Sequence, residues 1–226
     1  MRQPLLYKVY RDLRRGWRCL TPESQRLLQA FVASQKTTDG YINAGGHEDA
    51  YYTQFGQVLE AVFSPQKLLR VPIHLTVQES KHQETVYGRL FDFIENELKL
   101  GLKSRKDETI EVEMNMPKVK TTNAVCCILA MQHQTGSQLD AMLVEWLRQR
   151  QDTTGGFYAS DAAPIPDMLS TAVGLFTLRL IGERASDASD FIKAQWLDNG
   201  GFAPTLYDNY SDVEYVFYGL LALGAI

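Results

Sequence analysis

The sequence contains few cysteines and no long apolar run. Its three cysteines, Cys19, Cys126 and Cys127, cannot form an even disulfide framework, and two of them are adjacent in an apolar stretch, as is typical of a reducing compartment. The most apolar segments, 168–178 and 215–226, are far shorter than the roughly 20 residues that a membrane-spanning helix needs. The first residues also lack an apolar run of signal-peptide length. We therefore expect a cytoplasmic protein.

The sequence also has no excess of positive charge. It contains 23 Lys and Arg residues against 27 Asp and Glu, which gives a net charge of -4 and a pI near 5.6. Such a protein has no overall positive field with which to hold a phosphate backbone, so a nucleic-acid partner is not expected. A length of 226 residues, of which 45% are hydrophobic, suffices for one sizeable core, and we expect a single domain over 1–226.

Three segments share one pattern, in which a glycine turn is followed by an aspartate and then by an apolar stretch. Asp167 and Asp212 each lie ten residues after the phenylalanine of a Gly-Gly-Phe turn, and Asp49 follows a similar Gly-Tyr turn. Positions four, seven and eleven residues after each aspartate share one side of a helix. Each aspartate is therefore predicted to begin a helix whose side of small residues faces a close neighbour or a narrow cavity. The glycines on that side are Gly56, Gly174 and Gly219.

The segments that precede the turns have only one apolar side, as residues 139–147 illustrate. An alternation of half-polar and apolar helices favours two rings, with the half-polar helices outside. We therefore expect an all-α fold of four to five helical hairpins. Residues 108–117 alternate between apolar and polar side chains, which predicts a short extended insertion.

The repeated turn, aspartate and apolar helix resemble the repeat of the protein prenyltransferase β subunits and the squalene and triterpene cyclases. Gln195-Trp196 to Phe202 is similar to the glutamine–tryptophan motif of that superfamily, and the resemblance covers roughly residues 22–60 and 137–226. It implies an α/α toroid, complete or incomplete. It also implies a protein that binds or converts an isoprenoid or another long apolar, lipid-like substrate in a central cavity.

The sequence departs from the catalytic motifs of this superfamily. Its prenyltransferases bind zinc through an Asp-x-Cys and through a histidine three residues after another aspartate, but the matching positions here are Leu169 and Tyr215. The Asp-x-Asp-Asp acid of its cyclases is absent from the chain. No metal or other cofactor is therefore predicted. The alternative function is a non-catalytic helical-repeat scaffold that binds a protein partner.

The candidate site consists of side chains at the predicted helix starts. Carboxylates that cluster raise one another's pKa, and aromatic faces stabilise a nearby cation. The candidate catalytic residues are Asp49, Asp167, Asp212 and Glu214. The candidate ligand-binding residues are His47, Tyr51, Tyr52 and Tyr215. The structural alternative is that the aspartates cap helices, at about 1 kcal/mol each, and that the tyrosines only pack their rings.

Residues 1–20 form a basic amphipathic segment. Within 1–18, six Arg and Lys residues alternate with apolar and aromatic residues, which predicts a helix with one apolar side. Such a helix suits peripheral contact with an anionic membrane. The alternative is that its apolar side closes one end of the hairpin array.

Overall fold

The computed structural model describes residues 5–43, 45–64 and 120–226. Within these ranges the regular secondary structure is helical apart from one short antiparallel pair of strands, which confirms the all-α prediction. The helices are α1 (Leu5–Cys19), α2 (Pro22–Ser34), α3 (Ala50–Phe63), α4 (Thr122–Thr135), α5 (Ala141–Arg148), α6 (Met168–Ile181), α7 (Ser189–Ala194) and α8 (Val213–Ala225). The strands are β1 (Phe157–Tyr158) and β2 (Pro166–Asp167), with Phe157 opposite Asp167. The extended insertion predicted near 108–117 lies outside the described residues.

The three repeated aspartates are the N-caps of α3, α6 and α8. The side chains of Asp49, Asp167 and Asp212 accept hydrogen bonds from backbone N–H groups in the first turn, at 2.8, 2.7 and 3.0 Å. Each caps an N–H group that has no partner within the helix. The predicted helix starts are therefore correct, and capping accounts for an aspartate at each of them.

The glycine seven residues after each aspartate lies against the aromatic ring of its own turn. The pairs are Gly56 with Tyr41, Gly174 with Phe157, and Gly219 with Phe202. A Cβ atom on these glycines would lie only 2.3, 2.7 and 2.3 Å from the ring, and each ring is at most 2% exposed. The side of small residues thus faces a close neighbour, which is the first of the two predicted alternatives.

A hydroxyl group ties each turn to the helix that follows it. In two copies the N–H of the aromatic residue donates to the threonine four residues after the aspartate, at 2.9 Å in both. The third copy has Val216 at that position, and the N–H of Phe202 donates instead to Ser211, at 3.1 Å. The turn geometry is therefore maintained although one of its hydrogen-bond acceptors has moved along the chain.

The helices that begin at these aspartates lie next to one another. Contacts run from α4 to α6, from α6 to α8 and from α8 to α3. The C-terminal helix α8 thus lies against α3 from the N-terminal part of the chain. The turns meet the neighbouring hairpins in similar ways. A Cβ on Gly155 would lie 2.2 Å from the carbonyl oxygen of Asp187, before α7, and one on Gly200 would lie 2.5 Å from the backbone of Leu27 in α2. The last hairpin thus contacts α2 and α3 of the first.

α1 packs most extensively on α8. Its buried apolar side chains are spaced four residues apart: Leu5, Val9, Leu13 and Trp17. A Cβ on Gly16 would lie 2.0 Å from the carbonyl oxygen of Leu220, and one on Gly224 would lie 1.8 Å from that of Asp12. The two backbones can touch only because these positions lack a Cβ atom.

Basic residues at this interface meet the C-terminal ends of helices. The guanidinium of Arg14 donates to the carbonyl oxygen of Val62 at the end of α3, and that of Arg179 donates to Gly224 at the end of α8. These carbonyls have no partner within their own helices, and the cations complement the helix dipoles. The apolar side predicted within 1–18 is therefore buried in protein, and a peripheral membrane contact would depend on the exposed basic residues of α1.

No helix in the described ranges is both long enough and apolar enough to cross a bilayer.

Candidate functional site

Two helices from opposite ends of the chain bring acidic and aromatic side chains together. The hydroxyl of Tyr51 at the start of α3 donates to Oε1 of Glu214 at the start of α8, at 2.8 Å. About one turn further along each helix, the ring centroids of Phe55 and Phe217 are 5.1 Å apart. We call the polar group at these helix starts the acidic–aromatic site. Its residues are Asp49, Tyr51, Tyr52, Tyr210, Asp212, Glu214 and Tyr215.

Two carboxylates of this site are almost completely buried. Asp212 is 2% exposed and Glu214 is 6% exposed. Burial raises the pKa of Asp212 to about 6. Burial also raises the pKa of Glu214 to about 7; the charge of Asp212 adds to the rise, and the hydrogen bond from Tyr51 opposes it. Both carboxyl groups therefore change between the neutral and the charged form close to neutral pH.

The tyrosines of α3 lie within the field of these carboxylates. Burial raises the pKa of Tyr51, and the negative charge of Glu214 raises it further. Burial likewise raises the pKa of Tyr52, followed by the charges of Asp212, Glu214 and Asp49. Both hydroxyls thus remain protonated near neutral pH, and that of Tyr51 donates to Glu214.

Two predicted site residues make their hydrogen bonds outside this group. Asp167 accepts hydrogen bonds from the N–H and the hydroxyl of Ser170, at 2.7 and 2.8 Å, and burial raises its pKa. Its carboxylate is thus bound within its own helix turn. His47 is exposed on the loop before Asp49, and its N–H donates to Oδ1 of Asn43 at 3.2 Å. The structure places the other six predicted residues, from α3 and α8, together.

Sequence reasoning missed the loop 203–211, which leads into α8. Leu206, Tyr207 and Tyr210 are 55%, 84% and 46% exposed, an unusual clustering of large apolar side chains on one surface loop. The ring of Tyr210 lies 6.4 Å from that of Tyr215, which joins this loop to the acidic–aromatic site. The available signal was the composition of the loop, since the equivalent segment before Asp167 has no such aromatic cluster.

The resemblance implies a central cavity, whereas no metal site is predicted. An open pocket of about 190 Å³ lies between α2 and α3, and its lining includes Tyr41, Glu60 and Phe63. It lies toward the C-terminal end of α3, away from the capping aspartates. No group of three or more His, Cys, Asp and Glu residues in the described part of the chain is placed to hold a metal ion.

Comparison with known proteins assigns no family, because no protein-family model matches the chain and no curated protein matches it significantly.

Proposed function

We propose that the chain is a non-catalytic interaction module of the α/α-toroid type, which binds a protein partner at its acidic–aromatic site. The contact of α8 with both α6 and α3 supports a closed ring of hairpins. The resemblance of the three repeats to the prenyltransferase and cyclase superfamily supports the same architecture. A closed ring makes the helix starts a rigid platform, which favours binding with little loss of conformational entropy.

The observation that supports binding most is the exposed loop 203–211. Tyr207 is 84% exposed and Leu206 is 55% exposed, although burying such side chains is favourable. Tyrosine is also enriched at the centres of protein interfaces. A partner that covers this loop would gain apolar contact area and would reach the neighbouring carboxylates.

A catalytic function has less support from the same residues. The small residues of α3, α6 and α8 pack on turn aromatics, and the three aspartates cap their helices. Both features, which would suit a substrate cavity with an acidic rim, thus have structural roles of their own. The non-catalytic alternative therefore explains more of the arrangement.

A photo-crosslinking experiment tests the proposed function. Tyr207 is replaced with p-benzoylphenylalanine in the native host, and Met142, which is 74% exposed on α5, is replaced in a matched control. We expect a discrete protein adduct from position 207 that position 142 does not give. Equal labelling from both positions, or no protein adduct from position 207, would contradict the proposal.

One observation favours a second candidate, the binding or conversion of an isoprenoid. With a pKa of about 7, Glu214 is partly a neutral acid at physiological pH. In the cyclases that the chain resembles, a neutral carboxylic acid is the proton donor to an alkene. If this function holds, prenyl diphosphates raise the melting temperature and are converted to a product. The Glu214→Gln variant, whose amide oxygen can still accept a hydrogen bond from Tyr51, should then bind these compounds without converting them. If the wild-type protein binds no prenyl diphosphate of any chain length, this candidate is excluded.

A further inference from the structure

We infer that the segment docking on loop 203–211 is basic, with Lys or Arg side chains lying over exposed tyrosine rings and beside the carboxylates of the acidic–aromatic site. This inference rests on the proposed function and names the chemistry of the partner.

The apolar part of the surface is local. Leu206, Tyr207 and Tyr210 lie within five residues of one another, and all three are exposed. The hydroxyl of Thr205 donates to Oδ2 of Asp208 at 2.6 Å and accepts from the N–H of Tyr207, which holds the tip of the loop in a defined turn. The backbone that carries these rings is therefore held in a defined turn, which limits the entropy lost when a partner covers them.

The charges that act on Tyr210 and on the neighbouring Tyr52 are negative. The groups that raise the pKa of Tyr210, after burial, are Asp208, Asp212 and Glu214. The groups that raise the pKa of Tyr52 are Asp212, Glu214 and Asp49, again after burial. A cation near these rings would meet both the aromatic faces and several carboxylates at once. An anionic partner, such as an acidic peptide or an anionic membrane, would be repelled.

Burial of Asp212 and Glu214 makes a cationic partner more favourable still. Their charges are poorly solvated, so an approaching Lys or Arg gains more from them than from exposed carboxylates. The same cation stabilises the ionised form of Glu214 and lowers its pKa. A bound basic segment should therefore lower the pKa of Glu214 even without direct contact with that side chain.

The test uses a synthetic peptide of five Arg-Gly pairs with the full-length protein at 25 and 150 mM salt. We expect saturable binding that weakens at the higher salt, and a fall in the pKa of Glu214 measured by carboxyl NMR. A peptide of five Glu-Gly pairs and vesicles of anionic phospholipid should not bind. Binding of either probe in preference to the Arg-Gly peptide would overturn the inference.

Variants locate the site of binding. The double substitution Tyr207→Ala with Tyr210→Ala should weaken binding by about tenfold, since two exposed ring contacts are lost, and Asp208→Asn should weaken it by about threefold. The controls Met142→Ala and Asp190→Asn, at residues exposed on α5 and α7, should change it by less than about twofold. Equal affinity across all these variants would show general charge attraction and overturn the inference.

The inference and the proposed function can fail separately. A crosslinked partner at position 207 without binding of the Arg-Gly peptide would contradict only the basic character of the segment. Loss of both results would contradict the interaction module itself. Circular dichroism and melting temperature report whether each variant is folded.

Discussion

The two ends of α3, α6 and α8 differ in how they meet their surroundings. At the N-terminal ends, aspartates cap the helices, and exposed tyrosines lie beside two buried carboxylates. At the C-terminal ends, Arg14 of α1 and Arg179 of α6 donate to helix carbonyls, and α1 packs backbone to backbone on α8. Both ends complement the helix dipole, with negative charge at the N-terminus and positive charge at the C-terminus. One end is sealed by the chain itself, whereas the other presents apolar and charged groups to solvent.

The sealed end should be the less tolerant of substitution. Gly16→Ala would place a Cβ atom 2.0 Å from the carbonyl oxygen of Leu220, so α1 must move away from α8. We expect the free energy of unfolding to fall by about 3 kcal/mol or more, although alanine is the better helix former. Urea denaturation measures this change.

Gly182→Ala is the matched control for that substitution. Gly182 has a φ of +83°, and a Cβ atom at this position would have no neighbour within 4 Å, so only backbone strain opposes alanine there. A loss of about 1 kcal/mol is expected. If the two variants were equally stable, close packing of α1 on α8 would be wrong.

The N-terminal end of α8, with its two buried carboxylates, should determine how stability depends on pH. The pKa values of Asp212 and Glu214 in the folded protein, about 6 and about 7, lie above those of unfolded carboxylates. The folded state therefore binds more protons, and its stability is full at low pH and is lost as the pH rises through 6 and 7. We expect a loss on the order of 2 kcal/mol between pH 5 and pH 8.

Neutral isosteres should remove this dependence. The double variant Asp212→Asn with Glu214→Gln keeps a capping side chain and an acceptor for Tyr51 while removing both charges. It should be more stable than the parent at pH 8, and the difference should shrink as the pH falls toward 4. Asp190→Asn, at a carboxylate exposed to water, should leave the parent's profile unchanged. A flat parent profile would contradict the burial of the pair.

Capping should give a smaller effect at the same end. Asp49→Ala removes the acceptor for the N–H of Tyr51 and should cost about 1 kcal/mol of stability, whereas Asp49→Asn should cost little. Thermal unfolding at constant pH distinguishes them. Equal destabilisation by both changes would indicate that the charge of Asp49, rather than its capping hydrogen bond, stabilises α3.

The smallest effect is expected on the exposed loop. Tyr207→Ala should change the free energy of unfolding by less than about 0.5 kcal/mol, because the side chain is 84% exposed. Chemical denaturation beside the binding assay checks this. A large loss of stability would mean that Tyr207 packs within the fold and does not serve a partner.

Local patterns in the sequence predicted the helix starts well. The spacing from each glycine turn to Asp49, Asp167 and Asp212 located α3, α6 and α8, because capping and helical periodicity are local effects. The same spacing could not identify what the glycines contact. That neighbour is a turn aromatic such as Phe157, and its position depends on how the loop between them folds.

Contacts between distant segments could not be predicted in this way. Tyr51 and Glu214 lie at opposite ends of the chain, so their hydrogen bond depends on the packing of α3 against α8. Asp167 matches Asp212 in the sequence pattern, but its carboxylate accepts a hydrogen bond from the hydroxyl of Ser170 and is not part of the acidic–aromatic site. The sequence of 1–18 allowed its apolar side to face either a membrane or the rest of the protein. Only the contact of Gly16 with α8 decides between these alternatives.

The contact between α3 and α8 is tested most directly by NMR on protein with selectively labelled phenylalanine. The ring centroids of Phe55 and Phe217 are 5.1 Å apart with nearly perpendicular planes, so their ring protons should give a strong nuclear Overhauser effect. That cross-peak should disappear in both Phe55→Leu and Phe217→Leu. A folded protein without the cross-peak would separate the first hairpin from the last and would leave the acidic–aromatic site without its tyrosines.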